Sequence, residues 1–205
     1  MLERTVRELT GEPCIDLQEA ELDRQAICTS RMFGERVTTL EAMREAVASY
    51  MHRATQKLRK QQSLTAVFRV AVLTSPFVDG PKYANSVTCY PPYPTDDVLL
   101  LTRAAMEGLE GLEVIWRDGY RYSKAEILLM DLRKRGEFTG DLFTPSQPAR
   151  SDELMRVSDR INMKFGKNAL HSGRMPLDAT WAIKREMMSQ SYTTSIHHLM
   201  RFHAI

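Results

Sequence analysis

Residues 64–74 (LTAVFRVAVLT) constrain the fold more than any other stretch. One parity of this run carries Leu64, Ala66, Phe68, Val70 and Val72, and the other carries Thr65, Val67, Arg69, Ala71 and Leu73. A β-branched run with one wholly apolar parity and one mixed parity is a strand whose first face is covered and whose second is only partly so. Pro76 ends it, because proline cannot donate to a ladder. The chain must therefore supply helices for one side of a sheet and leave the other side to a different task.

The flanking segments supply those helices. Residues 25–33 (QAICTSRMF) read as a first strand ending at Gly34. Thr38-Thr39-Leu40-Glu41 has the form of a capping box, and Leu40, Met43, Val47, Tyr50, Met51, Ala54 and Leu58 follow at helical spacing. After the Asp79-Gly80-Pro81 turn, Lys82 to Tyr90 reads as a strand closed by Pro91-Pro92. Thr95-Asp96-Asp97 then opens a second helix, with a threonine cap and early acids at its positive end. Its stripe is Val98, Leu101, Ala105, Leu109, Leu112 and Ile115, weakened by Gly108 and Gly111. Tyr120 to Leu132 is a last strand. The order β-α-β-β-α-β predicts an α+β domain with two helices on one face of a four-stranded sheet. Arg69, Lys124 and Arg31 are expected on the free face.

Outside this unit the texture changes. Residues 1–23 carry seven acids and two bases, are broken at Gly11-Glu12-Pro13, and read as a linker or strap. Residues 24–136 form the domain and carry seventeen bases against twelve acids; no acid falls between Glu45 and Asp79. That balance is a mild pointer to a polyanion, though a solvated face explains most such runs. Residues 137–150 are a Pro/Gly/Ser/Thr-rich linker. Residues 151–205 hold one helical run (Leu154, Val157, Ile161), a glycine-containing turn and a second run around Trp181 to Met188, with too few large apolar groups for a core of their own. This extension is expected to be mostly helical and either to pack on something else or to be partly mobile. The abrupt acidic start at Met1 suggests a piece of a longer protein.

No catalytic constellation stands out. There is no phosphate-cradling glycine loop, G-x-S-x-G or H-E-x-x-H, which makes a small stand-alone enzyme the least favoured class. His197-His198 lacks a third ligand and reads as a surface pair. Asp96-Asp97 and Asp152-Glu153 lie at helix starts, where they serve the helix dipole. Cys14, Cys28 and Cys89 are scattered, which fits a reducing cytoplasm and idle thiols. The expectation is no catalytic residue, no metal site and no cofactor in this chain.

Three clusters carry the remaining chemistry. Ser30, Arg31, Phe33 and Gly34 end the first strand, where a guanidinium, a hydroxyl and exposed amides can meet one phosphate. On spacing alone an edge strand with a surface arginine is the plainer reading. Arg121, Ser123 and Lys124 form a second cluster, and Asn85 with Ser86 a third. Clusters on three strands of one sheet shift the balance towards a nucleic-acid surface that grips backbone rather than sequence. In the linker, Asp141-Leu142-Phe143 exposes an apolar pair that either packs locally or anchors a partner.

The runs TVRELTGEPC (5–14), SRMFGERV (30–37), TSPF (74–77) and IWRDGYRYSKAEILLMDL (115–132), with Trp181-Ala182-Ile183-Lys184-Arg185 and Tyr192-Thr193-Thr194 near the end, resemble UmuC-type Y-family translesion DNA polymerases over nearly the whole chain. The resemblance implies that residues 24–136 are a little finger lying against primer-template duplex, with Ser30, Arg31, Phe33, Gly34, Arg69, Asn85, Ser86, Arg121, Ser123 and Lys124 as its DNA-binding positions. It implies an error-prone parent polymerase of the bacterial SOS response, cytoplasmic and nucleoid-associated when acting, with UmuD′, RecA and the sliding clamp as partners. The catalytic carboxylates and their Mg²⁺ would lie in a palm upstream of residue 1, so this chain alone is not expected to polymerise. The family's clamp-binding peptide falls at residues 139–143, where only Leu142 and Phe143 keep its pattern, beside Asp141. Glu126 stands where the family carries glycine; on the parity of Lys124 it would repel phosphate unless a cation pairs with it. The rival reading is a protein-interaction module that docks RecA, UmuD′ or the clamp with no DNA binding of its own.

Overall fold

The structure, a computed structural model, describes residues 2–14, 23–111, 115–136, 146–183, 187–192 and 195–199. In chain order the elements are helix α1 (Leu2–Leu9), strand β1 (Ile27–Val37), helix α2 (Leu40–Lys60), strands β2 (Ser63–Thr74) and β3 (Ala84–Cys89), helix α3 (Val98–Glu110), strand β4 (Tyr122–Lys134) and helix α4 (Ala149–Phe165), with a 3-10 turn at Ile196–His198. From β1 to β4 this is the β-α-β-β-α-β order that the sequence predicts. The sheet runs β1-β4-β2-β3, and every neighbouring pair is antiparallel. Each helical crossover therefore joins two strands of the same direction and skips the strand between them.

The core lies between the sheet and helices α2 and α3. The α2 stripe of Met43, Val47, Tyr50, Met51, Ala54 and Leu58 is buried, as are Leu101, Ala105 and Leu109 of α3. They meet Phe68, Val70 and Val72 of β2 and Ala125, Ile127 and Leu129 of β4. Gly108 has a packing reason: a Cβ there would sit 2.6 Å from the Cys89 sulfur and 3.0 Å from Val87. The missing side chain lets α3 press against β3, which offsets the helix-propensity cost.

Four local readings need correction. Thr39, one residue beyond the expected position, caps α2 by accepting the Ala42 N–H, so Thr38 and Glu41 form no capping box. Asp97 rather than Thr95 caps α3, accepting from Leu99 and Leu100, while the Thr95 hydroxyl accepts the Asp97 N–H. Residues 2–9 form a helix where a strap was expected; Glu3–Arg7 (2.8 Å) and Arg4–Glu8 (4.0 Å) pair at i,i+4, and such pairs support even a helix with no buried stripe. The run from Trp181 is not helical where it is described (181–183 and 187–188).

The tail does pack on the domain. Trp181 stands edge-on to Phe33 (5.8 Å between ring centroids) and Tyr50 (5.9 Å), and its carbonyl accepts the Gly34 N–H at 2.9 Å. The Ala182 carbonyl occupies the space that a Gly34 Cβ would need, so only glycine admits the tail here. At the other end of α2, Arg59 makes a two-pronged pair with Asp159 of α4 (2.6 and 2.8 Å) and donates to the Asp96 carbonyl. Arg135 binds both Asp96 (2.6 Å) and Asp152 (2.8 Å), and Gln147 bonds to the same two acids. The paired acids of the sequence thus have wider duties than serving helix dipoles.

Candidate nucleic-acid interface

The free face of the sheet is set by parity. Ile27, Thr29 and Arg31 pair across β1–β4 with Leu129, Ile127 and Ala125, all on the helix side. The alternate residues build the uncovered side in three cross-strand rows: Cys28, Leu128, Arg69 and Thr88; Ser30, Glu126, Ala71 and Ser86; Met32, Lys124, Leu73 and Ala84. No helix packs on this face among the described residues.

At its centre Glu126 accepts from Lys124 Nζ at 3.0 Å and from Arg69 Nη2 at 3.4 Å. The cation that the sequence required beside this carboxylate is therefore present twice. Glu126 is the most sheltered of the three side chains (18% exposed, against 33% for Lys124 and 41% for Arg69), so the cations form the outer surface. The triad carries a net single positive charge and can release two cationic hydrogen-bond donors to an incoming anion. Exposed pairs of this kind contribute about 0–1 kcal/mol, so exchanging a carboxylate for a phosphate costs little.

Of the predicted positions, the structure brings Ser30, Arg69, Ser86 and Lys124 onto this face and takes six away from it. Arg31 falls on the helix side by register and lines, with Tyr50, Arg53 and Trp181, a cleft of about 550 Å³ between α2 and the tail. Asn85 pairs with Val72, again on the helix side, and its amide donates to the Tyr83 hydroxyl at 3.2 Å. Phe33 is buried against Tyr50, and the Gly34 amide is already used by Trp181. Ser123 is the extra residue of a bulge, because Lys124 pairs with Leu73 while Tyr122 pairs with Thr74; it is buried and donates to the Leu73 carbonyl at 3.2 Å. Arg121 precedes the strand and is exposed at the end of the sheet. Asp141, Leu142 and Phe143 lie outside the described residues.

That end of the sheet is braced from within. The Tyr122 hydroxyl accepts the Arg117 N–H (2.9 Å) and donates to the Arg117 carbonyl (3.0 Å), and its ring stacks on Trp116 at 4.7 Å. Burial raises the phenol pKa above its ordinary value, which keeps Tyr122 a neutral donor. Sequence reasoning missed Thr88 and Cys28 on the free face and the aromatic slot of Phe33 and Tyr50. The shared parity of Ile27, Thr29, Arg31 and Phe33 was the available signal, since its two large apolar members face the core. Among the described residues no three His, Cys, Asp or Glu side chains converge as metal ligands, and no helix is long and apolar enough to cross a membrane.

The fold and the face define an α+β module with one sheet surface left open and cationic at its centre. Residues 24–142 match the model of the impB/mucB/samB family C-terminal domain, and residues 152–201 match a domain of unknown function. The chain is 44% identical to the UmuC protein of Salmonella typhimurium over 203 residues, which is 98% of this chain and 47% of that protein. It is 44% identical to SamB of the same organism and 40% identical to MucB of Escherichia coli, each over 95% of this chain and 45% of the relative. This chain belongs to the impB/mucB/samB family, and it spans about half the length of the curated relatives it matches.

Proposed function

We propose that this chain is the little-finger and C-terminal region of an error-prone translesion DNA polymerase of SOS mutagenesis, and that its free sheet face grips primer-template duplex by the phosphate backbone. The observation that carries the DNA-gripping part is the placement of Arg69 and Lys124 on one uncovered face, joined only through a carboxylate that a phosphate can displace. Ser30 and Ser86 stand in the neighbouring row as neutral donors. None of these groups reads a base edge in a fixed geometry, so the contact is indifferent to sequence. The chemical step, with its Mg²⁺, belongs to a palm outside this chain. In the same reading UmuD′, RecA and the sliding clamp are partners of the tail and the linker.

Duplex binding measured by anisotropy at several salt concentrations tests this. The expected result is equal affinity for unrelated sequences and a steep fall with salt. Arg69→Ala and Lys124→Ala each weaken binding to every sequence and reduce the log–log salt slope by about one. Salt-insensitive binding, or wild-type slopes in both variants, overturns the assignment of this face. The rival reading, a protein-docking module, requires that the chain bind no duplex at any salt.

A further inference from the structure

At the end of the sheet that carries Lys124, β2 runs into a loop over residues 75–81 whose tip is Phe77. Its side chain is almost wholly in water, at 93% exposed. The loop does not present it by slackness. The Ser75 hydroxyl accepts the Phe77 N–H at 3.3 Å, and Lys82 Nζ donates to the Ser75 carbonyl at 3.2 Å and to the Val78 carbonyl. Ser75 itself is buried, and Gly80 takes a φ of +123° to close the turn. These hydrogen bonds hold the large ring outward on a braced loop.

At the same loop, Arg36 and Arg121 line a small cleft of about 150 Å³ together with Thr74, Ser75, Val78 and Asp79. Neither arginine forms an ion pair with a described residue, so the neighbourhood favours an anionic ligand over an apolar protein surface. Leu73 pairs with Lys124 one residue before β2 ends, which puts the start of the loop within about 10 Å of the free face at roughly 3.3 Å per residue. A ring and two cations at the edge of a phosphate-gripping face suit nucleic acid whose bases are no longer paired, because every base has a π-face to stack.

We infer that Phe77 is a stacking platform for an unpaired base, with Arg36 and Arg121 holding the adjoining phosphates. A duplex on the sheet face would run off at this end, and the first nucleotides of its single-stranded overhang would meet the ring. This inference rests on the proposed use of the sheet face, and it adds a second subsite that distinguishes a junction from plain duplex.

The test compares a blunt duplex with the same duplex carrying a short overhang, using the whole chain. The overhung duplex should bind about tenfold tighter, the size of one base–aromatic stack. Phe77→Ala should remove most of that preference, leaving only the part that Arg36 and Arg121 supply, and leave blunt-duplex affinity unchanged, whereas Phe77→Trp should keep it. Phe77→Leu should lose as much as Phe77→Ala, because leucine keeps the apolar contact and removes the π-face. A 5-iodouracil in the first unpaired position should photocrosslink to Phe77. Equal affinities for the two duplexes, an unaltered preference in Phe77→Ala, retention in Phe77→Leu, or a crosslink placed elsewhere each overturns the stacking role while blunt-duplex binding stands. Failure of the wild-type chain to bind blunt duplex instead sinks the reading of the sheet face.

Discussion

Two regions of this molecule use the same chemistry to opposite ends. On the sheet face, two cations share Glu126 where solvent reaches all three side chains. At the joint between domain and tail, Arg59 is 7% exposed against Asp159, and Asp96, which receives Arg135, is 2% exposed. Exposed pairs are screened, weak and exchangeable, whereas a buried charge stripped of its partner is costly to keep. An ion network in water is poised to let go of its partners, and one under a helix is built to hold.

The comparison can be broken most sharply at His52, on α2 two turns before Arg59. Its ring is buried; Nε2 bonds to the Gln56 amide, and Nδ1 has no partner among the described residues. Burial first, then the nearby Arg59 charge, pushes its pKa down to about 4; Asp159 opposes the shift, and His171 and Arg53 add smaller downward contributions. The unfolded chain binds the proton near the ordinary value of 6.5, so stability from this group is full above that pH. It falls as the pH drops from about 6.5 to about 4, by on the order of 3 kcal/mol across the window. His52→Gln should flatten that part of the curve in thermal melts; an unchanged slope refutes the buried neutral ring.

A smaller effect, about 2 kcal/mol, is expected for Arg135→Ala, which leaves Asp96 buried with Gln147 but no cation. Chemical denaturation measures it, and the added change Asp96→Asn should restore most of the loss. The smallest effect belongs to the open face. Glu126→Gln should leave the melting temperature within a degree or so, since exposed pairs contribute little. It should tighten duplex binding roughly fivefold at low salt by removing the carboxylate that competes with phosphate. A weaker complex would show that Glu126 positions Lys124 and Arg69 rather than masking them.

The architecture was legible because its signals are local and repeated. The stripe of α2, the two-faced pattern of β2 and the turn residues fix element type and order without any long-range contact. Six of the ten named positions lie off the free face, for reasons visible in single residues. Arg31 and Ser123 each missed the free face by one step of parity, the first through register and the second through a bulge that cross-strand pairing creates. Gly34 looked like an open amide because the segment that takes it, Trp181 and Ala182, lies nearly 150 residues later. The caps moved by one or two residues because several side chains in a Thr-Thr or Thr-Asp-Asp run can accept the same N–H groups.

The sheet order also dictates how the domain must come together. β4, the last of the described strands to leave the ribosome, belongs between β1 and β2. Until residue 134 has emerged, β1 with its helix and the β2–β3 hairpin are two halves with unpaired edges facing one gap. Closure therefore waits on the most sequence-distant pairing, a slow and aggregation-exposed step. A nascent chain stopped at residue 121 should stay protease-sensitive throughout, and thirteen more residues should render it resistant in one step.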